Sequence, residues 1–466
     1  MTRFVAQSVA ESPSDDDELY QDVVSQFPFL NGYSNVVYGF QLASNTSRDA
    51  VVAAIQAAVD KLTSQVPWFG YQVEPVSRGP GKSDILKPKP WPADAPVNEI
   101  VRVKYCDDLL PPMAQLSRAG VPIGMLDGKI LAPWSSLPQY HGIVGPVPVI
   151  SIQISFIRGG LIITLSAHHT IIDGTGIAQI ARLLATVLNG DEIPASYLEQ
   201  ANRDRNRVVP LIPHGHPVKD HSYLRRPQGW VPTAPASPPT WCSFKLSVSA
   251  LATFMELASS SPSQLTSEND VICAFYWKRL TAVRLARGLS TNTSTRFSRT
   301  IDGRGALGVP FSYIGHLVYH SAARLTMGQV VSMPLSTVAQ TLRRELNAAN
   351  TQWGVRSYAT FLAREPDMSS LLYGGVHNPN TDVGATTPSI SLGFSRETSS
   401  NMPDTWGPLL GRMRFMRRTK AAPIPGSFSF ISPENNMIPI IVCLPEEDLN
   451  GLKKDDEWRQ YVKYVG

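Results

Sequence analysis

Between Ser151 and Gly190 the hydrophobic period of the chain changes from two to 3.6, and this change limits the folds open to it. "SIQISFI" alternates Ile152, Ile154 and Phe156 with Ser151, Gln153 and Ser155, the spacing of a half-buried strand. "RGG" permits a reversal, and "LIITLSAHH" runs back as the second strand of a hairpin. Beyond "TIIDG", the residues Ile177, Ile180, Ala181, Leu184, Val187 and Leu188 share one helical face that stops at Asn189-Gly190. A hairpin feeding a helix demands a mixed α/β fold. It also puts "HHTIIDG" at the strand-to-helix junction.

The remaining pattern predicts two α/β halves. "FPFLNGYSNVVYGFQLA" reads as extended, and Val52, Ile55, Val59 and Leu62 mark a helix closed near Pro67. Prolines and glycines break residues 75 to 148 into loops and short strands. Residues 206–240 are dense in proline, which predicts a crossover rather than a packed element. The second half opens with strand-like "WCSFKLSV". A helix follows with Ser267 as N-cap and Asp270 three residues on. "LSTVAQTLRRELNAAN" predicts another helix, and the end reads as a strand followed by a helix. The expected organisation is a tail over 1–18, an N-terminal domain over 19–205, the crossover over 206–240 and a C-terminal domain over 241–466. With 466 residues, 43% of them hydrophobic, each half can bury its own core.

Charge and cysteine usage narrow the function classes. The net charge of +4 is too mild for a nucleic-acid binder and compatible with a pocket for a phosphorylated small molecule. Cys106, Cys242, Cys273 and Cys443 form no CxxC pair and read as reduced thiols of a cytosolic protein, not a zinc site or a disulfide framework. The N-terminus lacks the apolar core of a signal peptide, and no apolar run spans a bilayer. The expectation is a cytoplasmic protein without a membrane partner.

If "LIITLSAHH" is a strand, Leu161, Ile163, Leu165, Ala167 and His169 line one face, and His168 lies on the other with Ile162, Thr164 and Ser166. The imidazoles then point apart, which argues against a shared metal, and no third ligand has suitable spacing; no metal is expected. His169 ends the apolar face, as a desolvated imidazole beside a cavity would. A neutral imidazole there is suited to take a proton from a hydroxyl or amine. Asp173 would fix the turn by accepting hydrogen bonds or by pairing with an arginine, and Gly174 and Gly176 permit a sharp reversal. The structural alternative makes both histidines core residues and Asp173 a helix cap; for His168 alone that reading stands. "GRGALG" (Gly303 to Gly308) fits GxGxxG but is followed by Pro310 instead of a helix, so no nucleotide fold is expected. The basic run Arg412, Arg414, Arg417, Arg418 and Lys420 reads as a solvated strand face. His214, His216 and His221 are too irregularly spaced for a metal.

"HHTIIDG" matches the HHxxxDG signature of the BAHD acyl-CoA-dependent acyltransferases, shared with nonribosomal-peptide condensation domains and chloramphenicol acetyltransferase. The whole run resembles most the fungal branch that includes trichothecene 3-O-acetyltransferase. "LTSENDVICAFYWKRLTAVRLARG", "IDGRGALGVPFSYIGHLV" and "DTWGPLLGRMRFMRR" resemble further segments of that family in the same order. The resemblance implies two chloramphenicol-acetyltransferase-like α/β domains joined by a crossover loop, with the active-site channel between them. It implies a monomer with no permanent cofactor, using acyl-CoA (acetyl-CoA by default) as co-substrate and acylating a hydroxyl of a specialised metabolite. His169 would be the general base for direct attack on the thioester. Asp173 would point away from substrate, paired with Arg304 of the DGR segment. Asp404, Trp406 and Gly407 match a mainly structural loop that shapes the CoA side, one residue shorter here than in the family. His316 stands where the family usually has asparagine. Ser391 of "SISLGF" would donate to the developing oxyanion, or simply be an exposed strand serine. One of the basic residues after the loop would contact CoA phosphates if that face is not merely solvated. The loops of 75–148, the crossover and Tyr373 to Thr387 would line the acceptor pocket. Alternatives on the same scaffold are a condensation-type enzyme fed by a carrier protein, a cyclising or eliminating enzyme, and a relative that only binds ligand.

Overall fold

The computed structural model describes residues 22–95, 100–137, 145–258, 266–386, 403 and 405–466. The 1–18 tail, Ser391 and Asp404 lie outside the described residues. In chain order the strands are β1 (Tyr33–Gln41), β2 (Gln72–Val76), β3 (Ile85–Lys89), β4 (Val101–Tyr105), β5 (Val147–Pro148), β6 (Ile150–Ile157) and β7 (Gly160–His168). Then come β8 (Pro239–Ser247), β9 (Ser294–Asp302), β10 (Val318–Thr326), β11 (Val383–Thr386), β12 (Met413–Arg418), β13 (Ser427–Phe430), β14 (Met437–Pro445) and β15 (Val462–Tyr464).

Three sheets result. The first has the order β12-β1-β7-β6-β4, the second β10-β9-β11-β13-β14-β8-β15, and a small third β3-β2-β5. The expected hairpin is β6 and β7, antiparallel with Ile157 opposite Gly160. It is not half-buried: every residue of both strands is buried. On one face Ile152, Ile154, Leu161, Ile163 and Leu165 pack with residues of the helices Arg48–Gln65 and Gly174–Leu188. On the other, Ile157 and Ile162 pack with Met113, Leu116, Leu126 and Leu131. The polar set Ser151, Gln153 and Ser155 mimicked a wet face because Gln153 is satisfied internally, donating to the Ile130 carbonyl and to Ser155 Oγ.

The halves are more interwoven than a partition at residues 205 and 240 implies. β12, from the 241–466 segment, completes the first sheet beside β1. It fits because residue 39 is glycine: a Cβ there would lie 2.2 Å from the Phe415 ring. The crossover also packs, although it forms only short 3-10 turns at Arg205–Arg207 and Ser222–Leu224. Val208, Val209 and Leu224 join Val355, Tyr358 and Leu362 of the helix Gln352–Arg364 in one cluster. His221 is buried there, its Nε2 3.2 Å from Ser357 Oγ.

In the second half the capping box forms as expected. Ser267 accepts from the Asp270 amide, and the Asp270 carboxylate accepts from the Ser267 amide. Asp270 is fully buried between Arg299 and Arg343. No helix among the described residues is long and apolar enough to cross a membrane.

Candidate active site

β7 stops at His168, and the chain turns through backbone bonds from the Ile171 and Ile172 amides to the His168 carbonyl (2.9 and 3.0 Å). Asp173 then caps the helix Gly174–Leu188 by accepting from the Gly176 amide at 2.8 Å. This turn makes the reversal expected of Gly174. Gly174 itself is exposed, has no atom within 4 Å of a Cβ built on it, and does not adopt a positive φ. The glycine the fold requires is Gly176, whose added Cβ would lie 2.1 Å from the Ile314 carbonyl oxygen of the second half.

The two imidazoles point apart. His168 is fully buried, with the Tyr33 ring edge-on at 5.3 Å. His169 is half-buried. Its Nδ1 lies 3.0 Å from the Ile172 carbonyl, which can only accept, so Nδ1 carries the proton and Nε2 the free lone pair. Burial above all, and then the neighbouring His316, push the His169 pKa down to about 3, against the Ile172 carbonyl and Asp173, which raise it. The ring is therefore neutral at neutral pH and able to accept a proton at Nε2. His316 packs edge-on at 5.3 Å, and its Nδ1 donates to the His169 carbonyl at 2.9 Å. Among the described residues no group of three side chains converges to hold a metal.

Asp173 does not face the imidazole through a hydrogen bond. Its oxygens take two parallel bonds from Arg304, at 2.8 and 3.0 Å, and others from the Gly176 and Leu317 amides. Arg304 places its remaining donors on Asp302 and on the carbonyls of Tyr313 and Gly315. Both side chains are completely buried. Burial alone would raise the Asp173 pKa, but the Arg304 charge and these bonds hold it below the usual carboxylate value. A buried ion pair is tolerable only when all its donors and acceptors are met in this way. Thr175 Oγ1 adds a bond to Asp302 at 2.7 Å. The site is thus a seam: His169 and Asp173 come from the first half, Arg304 and His316 from the second.

The structure does not bring Trp406 or Gly407 of the DTWG segment to His169. Trp406 is buried among Tyr38 and Phe40. The Gly407 amide and the Thr405 carbonyl bind Asn189, at the far end of the 15-residue motif helix, ~22 Å from Asp173 at 1.5 Å per residue. Gly407 is needed there, with φ of +76 and the Leu188 carbonyl 2.4 Å from a built Cβ. The basic run is not a uniformly solvated face either. Arg414 is exposed, but Arg417 is buried in a two-bond pair with Glu434, which folds over that side of β12. Arg418 is half-buried. Composition gave no hint of the His316 contact or of the Gly176 approach, because both depend on residues more than 130 positions apart.

The Transferase family model matches residues 136–458, and that of the trichothecene 3-O-acetyltransferase-like N-terminal domain matches residues 33–187. The chain is 38% identical to O-acetyltransferase SAT5 of Stachybotrys chartarum, over 98% of each chain. It is 36% identical to O-acyltransferase pigD of Monascus ruber, over 96% of this chain and 98% of that one. The crystal structure of Fusarium sporotrichioides TRI101 complexed with coenzyme A and T-2 superposes with a TM-score of 0.83 at 27% identity, covering 96% and 99% of the two chains. Fusarium graminearum TRI101 with coenzyme A and deoxynivalenol gives 0.85 at 25%, over 96% and 99%. With the two-half α/β fold and the seam at HHTIIDG, these matches establish that the chain belongs to the Transferase family of acyl-CoA-dependent O-acyltransferases, in the branch with a trichothecene 3-O-acetyltransferase-like N-terminal domain.

Proposed function

We propose that the protein transfers an acyl group, acetyl by default, from acyl-CoA to a hydroxyl of a small specialised metabolite, with His169 as general base. The observation that carries this reading is a half-buried imidazole whose Nδ1 is tied to the Ile172 carbonyl while Nε2 has no partner among the described residues. The acceptor hydroxyl donates to Nε2. As its oxygen attacks the thioester carbonyl, Nε2 takes the proton; when the tetrahedral intermediate collapses, the C–S bond breaks and the imidazolium returns the proton to the CoA thiolate. The Ile172 carbonyl steadies the transient cation through Nδ1–H. Asp173 relays no proton, since its oxygens are occupied by Arg304 and two amides, and its work is to hold the turn. Ser391 is our proposed donor to the oxyanion.

The named relatives are O-acetyl- and O-acyltransferases, and two of the solved structures hold coenzyme A. This favours CoA over a carrier protein as donor and a hydroxyl over an amine as acceptor. We take the protein to act as a monomer, and the four buried free cysteines support a reducing, cytoplasmic setting. The test is release of free CoA from acetyl-CoA with a panel of alcohols. His169→Ala should lower turnover ~10²–10⁴-fold; unchanged release rejects His169 as the base.

A further inference from the structure

Consecutive residues of the second half, from Ile314 to Leu317, each touch the motif turn. The Ile314 carbonyl oxygen faces Gly176, the Gly315 carbonyl accepts from Arg304, and the Leu317 amide donates to Asp173. Those contacts are made by main-chain atoms. The contact of His316 is made by its side chain: Nδ1–H donates to the His169 carbonyl at 2.9 Å. It alone depends on which side chain stands there, and this chain has histidine where the family usually has asparagine.

The hydrogen bonds of His169 occupy every donor and acceptor it has except Nε2. Its amide donates to the Gly32 carbonyl at 2.7 Å, its carbonyl accepts from His316, and its ring Nδ1 donates to the Ile172 carbonyl. β7 has ended at His168, and among the described residues no main-chain donor reaches the His169 carbonyl. His316 supplies the missing donor. Without it the carbonyl beside the base is left unbonded, and the backbone angles that aim the ring lose a restraint. The His316 ring is suited to this work. It is buried, and burial above all keeps it neutral by lowering its pKa, against the Asp173 charge. A carbonyl can only accept, so the proton is on Nδ1. Its Nε2 has no hydrogen-bond partner, so the bond to His169 is the only one the ring makes among the described residues.

We infer that His316 is a positioning residue for the general base: its Nδ1–H, bonded to the His169 carbonyl, fixes the angle at which Nε2 meets the acceptor hydroxyl. The inference rests on His169 being the base and adds the side chain of the second half that aims it. The edge-on contact of the two rings at 5.3 Å adds packing but no direction. Asparagine carries an N–H two bonds beyond Cβ, where histidine has Nδ1–H, so it keeps the bond and loses only the ring. Leucine fills a comparable volume and cannot donate.

The test compares the full chain with its H316N and H316L variants by steady-state CoA release and by nitrogen NMR of histidine-labelled protein. H316L should lower kcat about 10- to 100-fold and leave the KM values for acetyl-CoA and alcohol within about twofold of the wild type. H316N should recover kcat to within about threefold of the wild type. In the spectra His169 should carry its proton on Nδ1 in the wild type and H316N, and exchange between tautomers in H316L. Wild-type kcat in H316L overturns the inference. So does an equal loss in H316N and H316L, which would mean that the shape of the ring matters and the bond does not. Should H316L fail to fold, H316A decides by the same comparison. A wild-type protein that releases no CoA with any alcohol contradicts the proposed reaction instead. The spectra then decide alone, and an unchanged His169 tautomer in H316L overturns the inference.

Discussion

The two ends of the helix Gly174–Leu188 are held by opposite means. At its N-terminal end the clamp is ionic: Asp173 and Arg304, both completely buried, lock the turn to the second half and leave the His169 ring half-open beside them. At its C-terminal end the clamp is aromatic and closed: Trp406 is sealed among Tyr38 and Phe40, and Asn189 ties the loop by hydrogen bonds. Both clamps cross between distant parts of the chain. Both ends carry directional hydrogen bonds, but only the ionic one is charge-assisted and completely buried, with two parallel bonds that fix the angle of the turn. A part that must present one nitrogen at one place is held by the buried ionic clamp; a part that must only stay put is held by aromatic packing and neutral hydrogen bonds.

Breaking the ionic clamp should have the largest effect. Arg304→Met strands the Asp173 carboxylate in the interior and should cost about 3–5 kcal/mol, the usual consequence of removing one partner of a buried pair. Turnover should fall at least as far as for His169→Ala, read by urea unfolding and CoA release. Trp406→Ala should also destabilise by about 3–5 kcal/mol through the cavity it leaves, yet the protein that stays folded should keep its turnover per molecule. Loss of turnover in Trp406→Ala at full folding would erase the distinction between the two ends. Gly176→Ala tests the approach of Ile314 and should cost about 1–3 kcal/mol as overpacking, with a drop in turnover, because the strain falls directly on the seam.

Acid should also act through the buried imidazoles. Burial pushes the pKa values of His168, His169 and His320 down to about 3, and that of His221 down to about 4. The folded rings thus stay neutral while the unfolded chain takes up protons below the ordinary value of 6.5. Stability from this source is full above pH 6.5 and is lost progressively as the pH falls towards 3. Denaturant midpoints measured between about pH 7.5 and about pH 5 should decline; a flat profile would contradict neutral burial. The smallest effect belongs to Gly174→Ala, which should be within about 0.5 kcal/mol of the wild type. Its position is open, and no positive φ demands glycine there.

The sequence made the hairpin, the motif helix and the capping-box helix legible because each rests on local periodicity or a local cap. The strand-to-helix junction that carries His169 and Asp173 was legible for the same reason, falling where the period changes, whereas the approach of Ile314 that requires Gly176 was not. What local pattern misjudged was exposure. Ser151, Gln153 and Ser155 alternate as if wet, but a long-range cover, Met113 to Leu131, hides them. Arg417 alternates as if solvated, but Glu434 reaches it from the next hairpin. The arginine paired to Asp173 came only through family resemblance, since nothing local couples residues 173 and 304. The helix Gln352–Arg364, rich in β-branched and aromatic residues, is held by tertiary contacts with the crossover that no window of sequence contains.

Acyl transfer by this chain requires that Nε2 of a neutral His169 open onto the space where donor and acceptor meet. A crystal structure of the protein with bound coenzyme A measures this directly. The sulfur should lie about 3.5 Å from Nε2, with Nδ1 still bonded to the Ile172 carbonyl and Asp173 still engaged by Arg304. A thiol lodged elsewhere, or an Nε2 walled off by protein atoms, would contradict it.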